Sequence, residues 1–202
     1  MSCNIPQPGP VDKELNEFWE GSPWEIFHQH NLSAFERNRL FLNAGGRKFV
    51  DISYVSGADN DGDARSSLAV DVDHDGRLDL VVRQSGGAPL LVYQNQFSQR
   101  HYLKVTLRGT ESNRLGIGAR LIGSVNGQQI VREVYPIDSY LSQASLVVHF
   151  GLNQAEHMDE LVVHWPSGVD QRIQNLPADR HVVITEGSQD IIFTTPGQLI
   201  PP

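Results

Sequence analysis

Asp71-Val-Asp-His-Asp-Gly-Arg-Leu-Asp-Leu80 places four carboxylates, Asp71, Asp73, Asp75 and Asp79, around a single glycine, Gly76. Acids this close repel one another unless a cation lies among them. In the calcium loop that joins two helices in EF-hand proteins, side chains at positions 1, 3 and 5, a carbonyl at 7 and a further ligand at 9 surround the ion, and Gly at 6 allows the turn. Asp71, Asp73, Asp75, the backbone carbonyl of Arg77, Asp79 and Gly76 stand at those places. Position 12, where the helical loop has a bidentate Glu, is Val82, and the flanks Ser67-Leu-Ala-Val70 and Leu78-Asp-Leu-Val-Val82 read as strands. The segment is therefore a calcium loop between strands. Oxygen donors select a hard cation, and a flexible, acid-rich loop suits calcium better than magnesium. The competing reading is an acidic surface turn without metal, since Asp and Gly are ordinary turn residues.

Working outward, short strands are predicted at Ser66 to Val70, Leu78 to Gln84 and Leu90 to Tyr93. Upstream, Arg39 to Asn43 and Lys48 to Ser53 flank the turn Ala44-Gly-Gly46 as a hairpin. In the polar loop between, Asp59, Asp61 and Asp63 straddle Gly62 and offer an outer ligand or a second metal site, with a poorer spacing. Residues 1–10 are a Pro-rich flexible leader. Across 11–38, Val11, Leu15, Phe18 and Trp19, then Trp24, Phe27 and His28, recur at helical spacing, predicting short helices that cover a sheet edge or face. Helices are expected in the first forty residues and nowhere else.

Downstream the chain is a succession of short strands separated by turn signals, which marks a β-domain. In Tyr102 to Arg108, Leu103, Val105 and Leu107 alternate with Lys104, Thr106 and Arg108, predicting one buried and one wet face. Asn126-Gly127 joins strands at Arg120 to Val125 and Gln129 to Tyr135, and further strands are expected at 145–150, 161–165, 169–173 and 181–185. The fold class is mainly β: a small antiparallel unit carrying the calcium loop (39–98), packed on a β-sandwich-like domain (99–187), with a C-terminal tail (188–202).

Composition limits the function classes. The chain has 202 residues and a formal net charge of −8, with no concentrated basic patch for nucleic acid. Its aliphatic runs are too short for a transmembrane helix. Cys3 is the one cysteine, which excludes an intramolecular disulfide and a thiolate metal cluster. Residues 1–10 lack the basic start and apolar core of a secretory signal, so the expected location is cytoplasmic, or secreted if a leader has been removed.

For chemistry, GxSxG, HExxH and phosphate-loop motifs are all missing, and Gly116-Ile-Gly118 precedes a strand rather than a helix. The best polar constellation comprises Arg114, Arg132, Glu133, Asp138, Tyr140, Ser142, Gln143 and His149. In a reactive site, His149 is the acid or base, since a histidine titrates near about 6.5, with Glu133 or Asp138 orienting it and Tyr140 and Arg114 nearby. In the structural alternative, Arg and Glu form an ion pair and Tyr140 lines a turn. Trp165-Pro-Ser-Gly168 is a strand-ending turn or, with Trp165 exposed, a stacking platform for a sugar.

Ser112-Asn-Arg-Leu-Gly-Ile-Gly-Ala-Arg120, Arg132-Glu133, Ser139-Tyr-Leu-Ser-Gln143, His149-Phe-Gly-Leu152, Trp165-Pro-Ser-Gly168 and Glu186, in that order, resemble the UnbV/ASPIC domain over roughly residues 100–187. Leu40-Phe-Leu-Asn-Ala-Gly-Gly46, Phe49-Val-Asp51 and the acidic loop resemble one FG-GAP calcium-binding repeat. Residues 39–187 are thus similar to the C-terminal part of the cartilage acidic protein family and its bacterial relatives. That resemblance implies calcium binding and, in eukaryotic members, extracellular interaction, and it associates bacterial members with natural-product gene clusters. Members normally carry several repeats in a β-propeller. With about one, the blade must pack on the UnbV sheet and the N-terminal helices, or form a homo-oligomer. Two functions follow: a calcium-stabilised module recognising a protein, glycan or small-molecule ligand, and a calcium-dependent cyclase or hydrolase of secondary metabolism using acid–base residues of the UnbV domain.

Overall fold

The computed structural model describes residues 37–45, 47–62, 64–84, 89–137, 139–140 and 142–194. The expected leader and N-terminal helices, with His28, and the candidate residues Asp63 and Asp138 lie outside them. The chain is mainly β and divides into two compact units, residues 1–65 with 83–90, and residues 66–82 with 91–202.

In the first unit, β1 (Phe41–Asn43) and β2 (Phe49–Asp51) form the expected hairpin, with Phe41 opposite Asp51 and Asn43 opposite Phe49. The second strand was predicted to run to Ser53, and helices to be confined to the first forty residues. Instead a short helix, α1 (Ser53–Ser56), begins there. Asp51 Oδ1 accepts the Ser53 N–H at 2.9 Å and its hydroxyl at 2.5 Å, an Asx turn that ends the ladder. The Ser53 hydroxyl oxygen in turn accepts the Leu40 N–H at 2.8 Å.

Next come β3 (Ala64–Val70), β4 (Asp79–Gln84) and β5 (Leu91–Tyr93), paired in that order as a three-stranded sheet. The acidic loop connects β3 to β4, as its flanking alternation predicts.

The second unit contains two four-stranded sheets. One has the order β11 (Asp170–Pro177), β10 (His157–His164), β7 (Arg120–Val125), β8 (Gln128–Glu133), all antiparallel. Asn126 and Gly127, at φ 50° and 76°, take the paired positive dihedrals of the tight turn that matches strand twist. The other has the order β13 (Ile191–Thr194), β12 (Arg180–Thr185), β6 (His101–Arg108), β9 (Val148–Asn153), with β12 and β6 parallel. β13 occupies part of the expected tail. Its Ile191 and Ile192 stand opposite Ile184 and Val183 in the antiparallel register with β12.

Both sheets feed one core. Leu103, Val105, Phe150, Val182 and Ile184 from one meet Leu121, Met158, Leu161 and Val163 from the other, all fully buried. Each such side chain stabilises the fold by about 1.5–3 kcal/mol relative to exposure. Trp165 also belongs to this core, 3% exposed, its Nε1–H donating to Gln171 Oε1 at 2.9 Å. The sugar-stacking reading of Trp165 is thereby excluded, and the structural turn stands.

A buried carboxylate ties the loops at this end of the sandwich. Glu186 Oε2 accepts the N–H groups of Thr110, Glu111 and Ser112 at 2.8, 3.0 and 2.8 Å. Its Oε1 accepts the hydroxyls of Ser112 (2.7 Å) and Ser167 (2.5 Å), the latter in the Trp165 turn. Burial alone would raise the carboxyl, but these donors outweigh it and hold it at about 2. In an unfolded chain a glutamate titrates near about 4.3. The folded group is thus depressed, so its stabilisation is complete above the unfolded value and is lost as pH falls towards 2. Glu186→Gln should cost about 2–4 kcal/mol at neutral pH. In urea unfolding between pH 7 and pH 2, the gap between wild type and variant should close below pH 4.5.

Candidate metal centre

Asp71 follows β3 and Asp79 opens β4, so the strand pair fixes both ends of the acidic loop. Asp79 is 3% exposed, and its Oδ2 accepts the Val72 N–H at 3.0 Å while Oδ1 accepts the Asn95 N–H at 2.8 Å. Asp71 is 7% exposed, and its Oδ2 accepts the Gly76 N–H at 2.9 Å and Lys104 Nζ at 2.5 Å. Its other oxygen, Oδ1, is buried with no hydrogen-bond partner among the described residues. Asp73 is exposed, with Oδ1 accepting the Asp75 N–H at 3.3 Å and Oδ2 accepting Gln94 Nε2–H at 2.7 Å.

One oxygen from each of Asp71, Asp73 and Asp79 lies within 4.8 Å of the others. Two oxygens on one calcium are separated by at most two Ca–O bonds, about 5 Å. The three carboxylates fit that ion, and an orphaned buried carboxylate oxygen is the acceptor a hard cation would satisfy.

Asp75 points elsewhere. Its Oδ1 accepts the Arg77 N–H at 2.8 Å and its Oδ2 accepts Arg77 Nε–H at 2.7 Å and an η-nitrogen of the same guanidinium. Those bonds hold its carboxyl below the ordinary aspartate range. Arg77 also donates to the Phe97 carbonyl at 2.8 Å. Among the described residues Asp59 and Asp61 join no such grouping. Asp59 accepts Arg37 at 2.9 Å.

The loop rests on the outer face of β6 and β9. Gly76 has φ 92°, and a Cβ there would stand 2.1 Å from the Tyr102 ring, so this position needs glycine for both its dihedral and its contact. Tyr102 stacks on His149, with centroids 5.8 Å apart and planes 10° apart. His149 Nε2 lies 2.9 Å from the Gly76 carbonyl. A carbonyl only accepts, so Nε2 carries the proton. Burial lowers the imidazole from its ordinary value, which keeps it neutral at pH 7. Lys104 and His149 are direct cross-strand partners, so one row of the sheet supplies both contacts to the loop. The face of β6 expected to be wet is consequently half covered: Tyr102 is buried and Lys104 and Thr106 are intermediate.

The acid–base constellation is not drawn together around His149. Glu133 stands 3.8 Å from Arg120 at the exposed end of β8, Tyr140 is 65% exposed, and Arg114 is exposed on a loop. Arg132 meets His149 through the backbone, its Nε–H donating to that carbonyl at 3.1 Å, and its guanidinium lies over the Phe150 ring. His74 is exposed at φ 62°, pointing outward as expected.

Lys104 and Tyr102 were not foreseen as parts of the site. Their signal was a lysine and a tyrosine on the nominally wet face of a central strand. Gly76→Ala should lose about 3 kcal/mol or more in thermal unfolding, combining a left-handed dihedral with overpacking. Gly127→Ala, with open space around it, should lose only the dihedral part, about 1–2 kcal/mol.

Residues 109–191 match the family described as ASPIC and UnbV, and residues 30–82 match the FG-GAP-like repeat. No curated protein matches the chain. The second match ends at Val82, so it contains the whole acidic loop, and the first contains β7 to β12 and Glu186. The chain is therefore a β-module in which an FG-GAP-like repeat is followed by an ASPIC and UnbV domain.

Proposed function

We propose that the protein is a calcium-stabilised recognition module, with Asp71, Asp73 and Asp79 holding the ion. The observation that carries this is the buried, partnerless Oδ1 of Asp71 beside two further carboxylates. Calcium would supply charge neutralisation and fix the loop on β6 and β9. Residual coordination positions would fall to backbone carbonyls or water, since calcium takes about 6–8 oxygens.

Recognition of a protein, glycan or small-molecule ligand is favoured over catalysis by what His149 does. Its Nε2–H is committed to Gly76 and its ring to Tyr102, and neither Glu133 nor Tyr140 contacts it among the described residues. A side chain so engaged supports the docking of the loop.

Calcium at about 100 times its Kd should raise stability by about 2.7 kcal/mol, seen as a higher Tm that a chelator reverses. A Tm indifferent to both would remove the calcium reading. Asp71→Asn and Asp79→Asn should abolish the calcium-dependent rise. Lys104→Met leaves a buried carboxylate unpaired, so the calcium-free protein should lose about 3–5 kcal/mol. Because the ammonium also repels a cation, this variant should gain more from calcium than wild type does.

A further inference from the structure

A cleft of ≈ 400 Å³ lined by polar and charged residues lies in the second unit, where the start of β6, the β9–β10 turn and the β11–β12 turn converge beside the acidic loop. Its charged lining is Asp75, Arg100, His101, Asp179 and Arg180. Both acids are already engaged. Asp75 is held by Arg77, and Asp179 accepts the Tyr102 N–H at 3.3 Å and pairs with His101 Nδ1 at 2.7 Å. The side chains of Arg100 and Arg180, by contrast, make no ion pair or hydrogen bond with a described residue. Two guanidiniums without a partner among the described residues thus share one cleft on a chain of net charge −8.

We propose that this cleft binds a small carboxylated, hydroxyl-rich molecule of the sugar-acid class. The proposal names the ligand of the recognition reading and rests on it, but not on the calcium. Guanidinium groups recognise oxyanions through paired N–H donors. With the Asp75 carboxylate already held by Arg77 behind the wall, Arg100 and Arg180 stand against one further acid, Asp179, a single positive excess. That balance suits a carboxylate monoanion better than a phosphate dianion, which two fixed acids would repel.

The remaining lining residues supply hydroxyl recognition. Asn153 and Gln154 present exposed amides. Gln99 donates through Nε2 to the Asp75 carbonyl at 2.7 Å, which leaves its Oε1 as an acceptor. The two turns are held in place: Asn153 and Asp179 sit at φ 57° and 56°, and the Asp179 N–H donates to the Tyr102 carbonyl at 2.7 Å. A cleft already formed spares a ligand much of the ordering cost of binding.

The test is calorimetric titration of the full chain with glucuronate, glucose, acetate and inorganic phosphate, in calcium and again in chelator. Glucuronate should bind with a Kd of about 1 mM or tighter, and glucose and acetate at least about tenfold more weakly. Arg100→Ala and Arg180→Ala, both at exposed positions, should each weaken glucuronate about tenfold or more at unchanged Tm. Arg172→Ala, whose side chain pairs with Glu160 outside the cleft, should leave the affinity as it was. Glucose binding as well as glucuronate, phosphate binding better, no glucuronate binding, or affinity indifferent to both cleft arginines would each overturn the proposal. The calcium reading is judged separately by the melting curves, so either can fail alone.

Discussion

The fold must accommodate three carboxylates crowded into one loop, and the contact that lets it do so is Lys104 Nζ on Asp71 Oδ2 at 2.5 Å. At close range, like charges in a half-buried site cost several kcal/mol unless countercharge is present. Lys104 supplies it from a central strand, and the same row of the sheet supplies His149 to the Gly76 carbonyl. A loop that would otherwise swing in solvent becomes part of the sandwich surface. The ammonium satisfies only one Asp71 oxygen, however. The other remains buried and partnerless, so the loop is held in place with one demand left unmet.

This arrangement separates two kinds of acid. Asp71 and Asp79 are fixed by backbone N–H donors and buried, which costs no side-chain freedom when a cation arrives. Asp75, next to the turn glycine, is instead neutralised inside the loop by Arg77. Glu186 solves a related problem differently. Five donors from the Thr110–Ser112 segment and Ser167 replace water so fully that no cation is needed. Asp71 and Glu186 thus differ in whether both oxygens are spoken for: among the described residues Glu186 has donors on each, and Asp71 keeps one without.

Much of this was legible in the sequence because it depends on local period and turn chemistry. Alternation in Tyr102 to Arg108 placed Leu103, Val105 and Leu107 inside, and Asn126-Gly127 placed the hairpin, as the buried residues and register show. The acidic spacing located the loop. What could not be read was which distant element meets it. Lys104 looks like an ordinary solvent-facing lysine until β6 is known to lie under the loop, and no spacing rule links residues 33 positions apart. Likewise Asp75 fits the ligand pattern, but its nearest cation is the arginine two residues on, and a spacing template does not weigh that competition. The short helix at Ser53 was missed because one Asp51 oxygen, bonding two groups of Ser53, ended a strand that apolar pattern alone would extend.

The same loop also borders the cleft through Asp75, two residues beyond Asp73 of the carboxylate group. The Asp75 carbonyl holds Gln99, whose amide faces the cleft, and the Asp75 carboxylate holds Arg77. Any ion that fixes Asp71 and Asp73 therefore restricts the main chain that carries Asp75, and with it one wall of the cleft. Coupling of this kind is reciprocal: a ligand that needs the wall in place must favour the ion to the same degree that the ion favours the ligand. The close approach of Gly76 to the Tyr102 ring seats the segment that carries both Asp73 and Asp75 on the central strand β6, which is the physical link through which ion and ligand would influence each other.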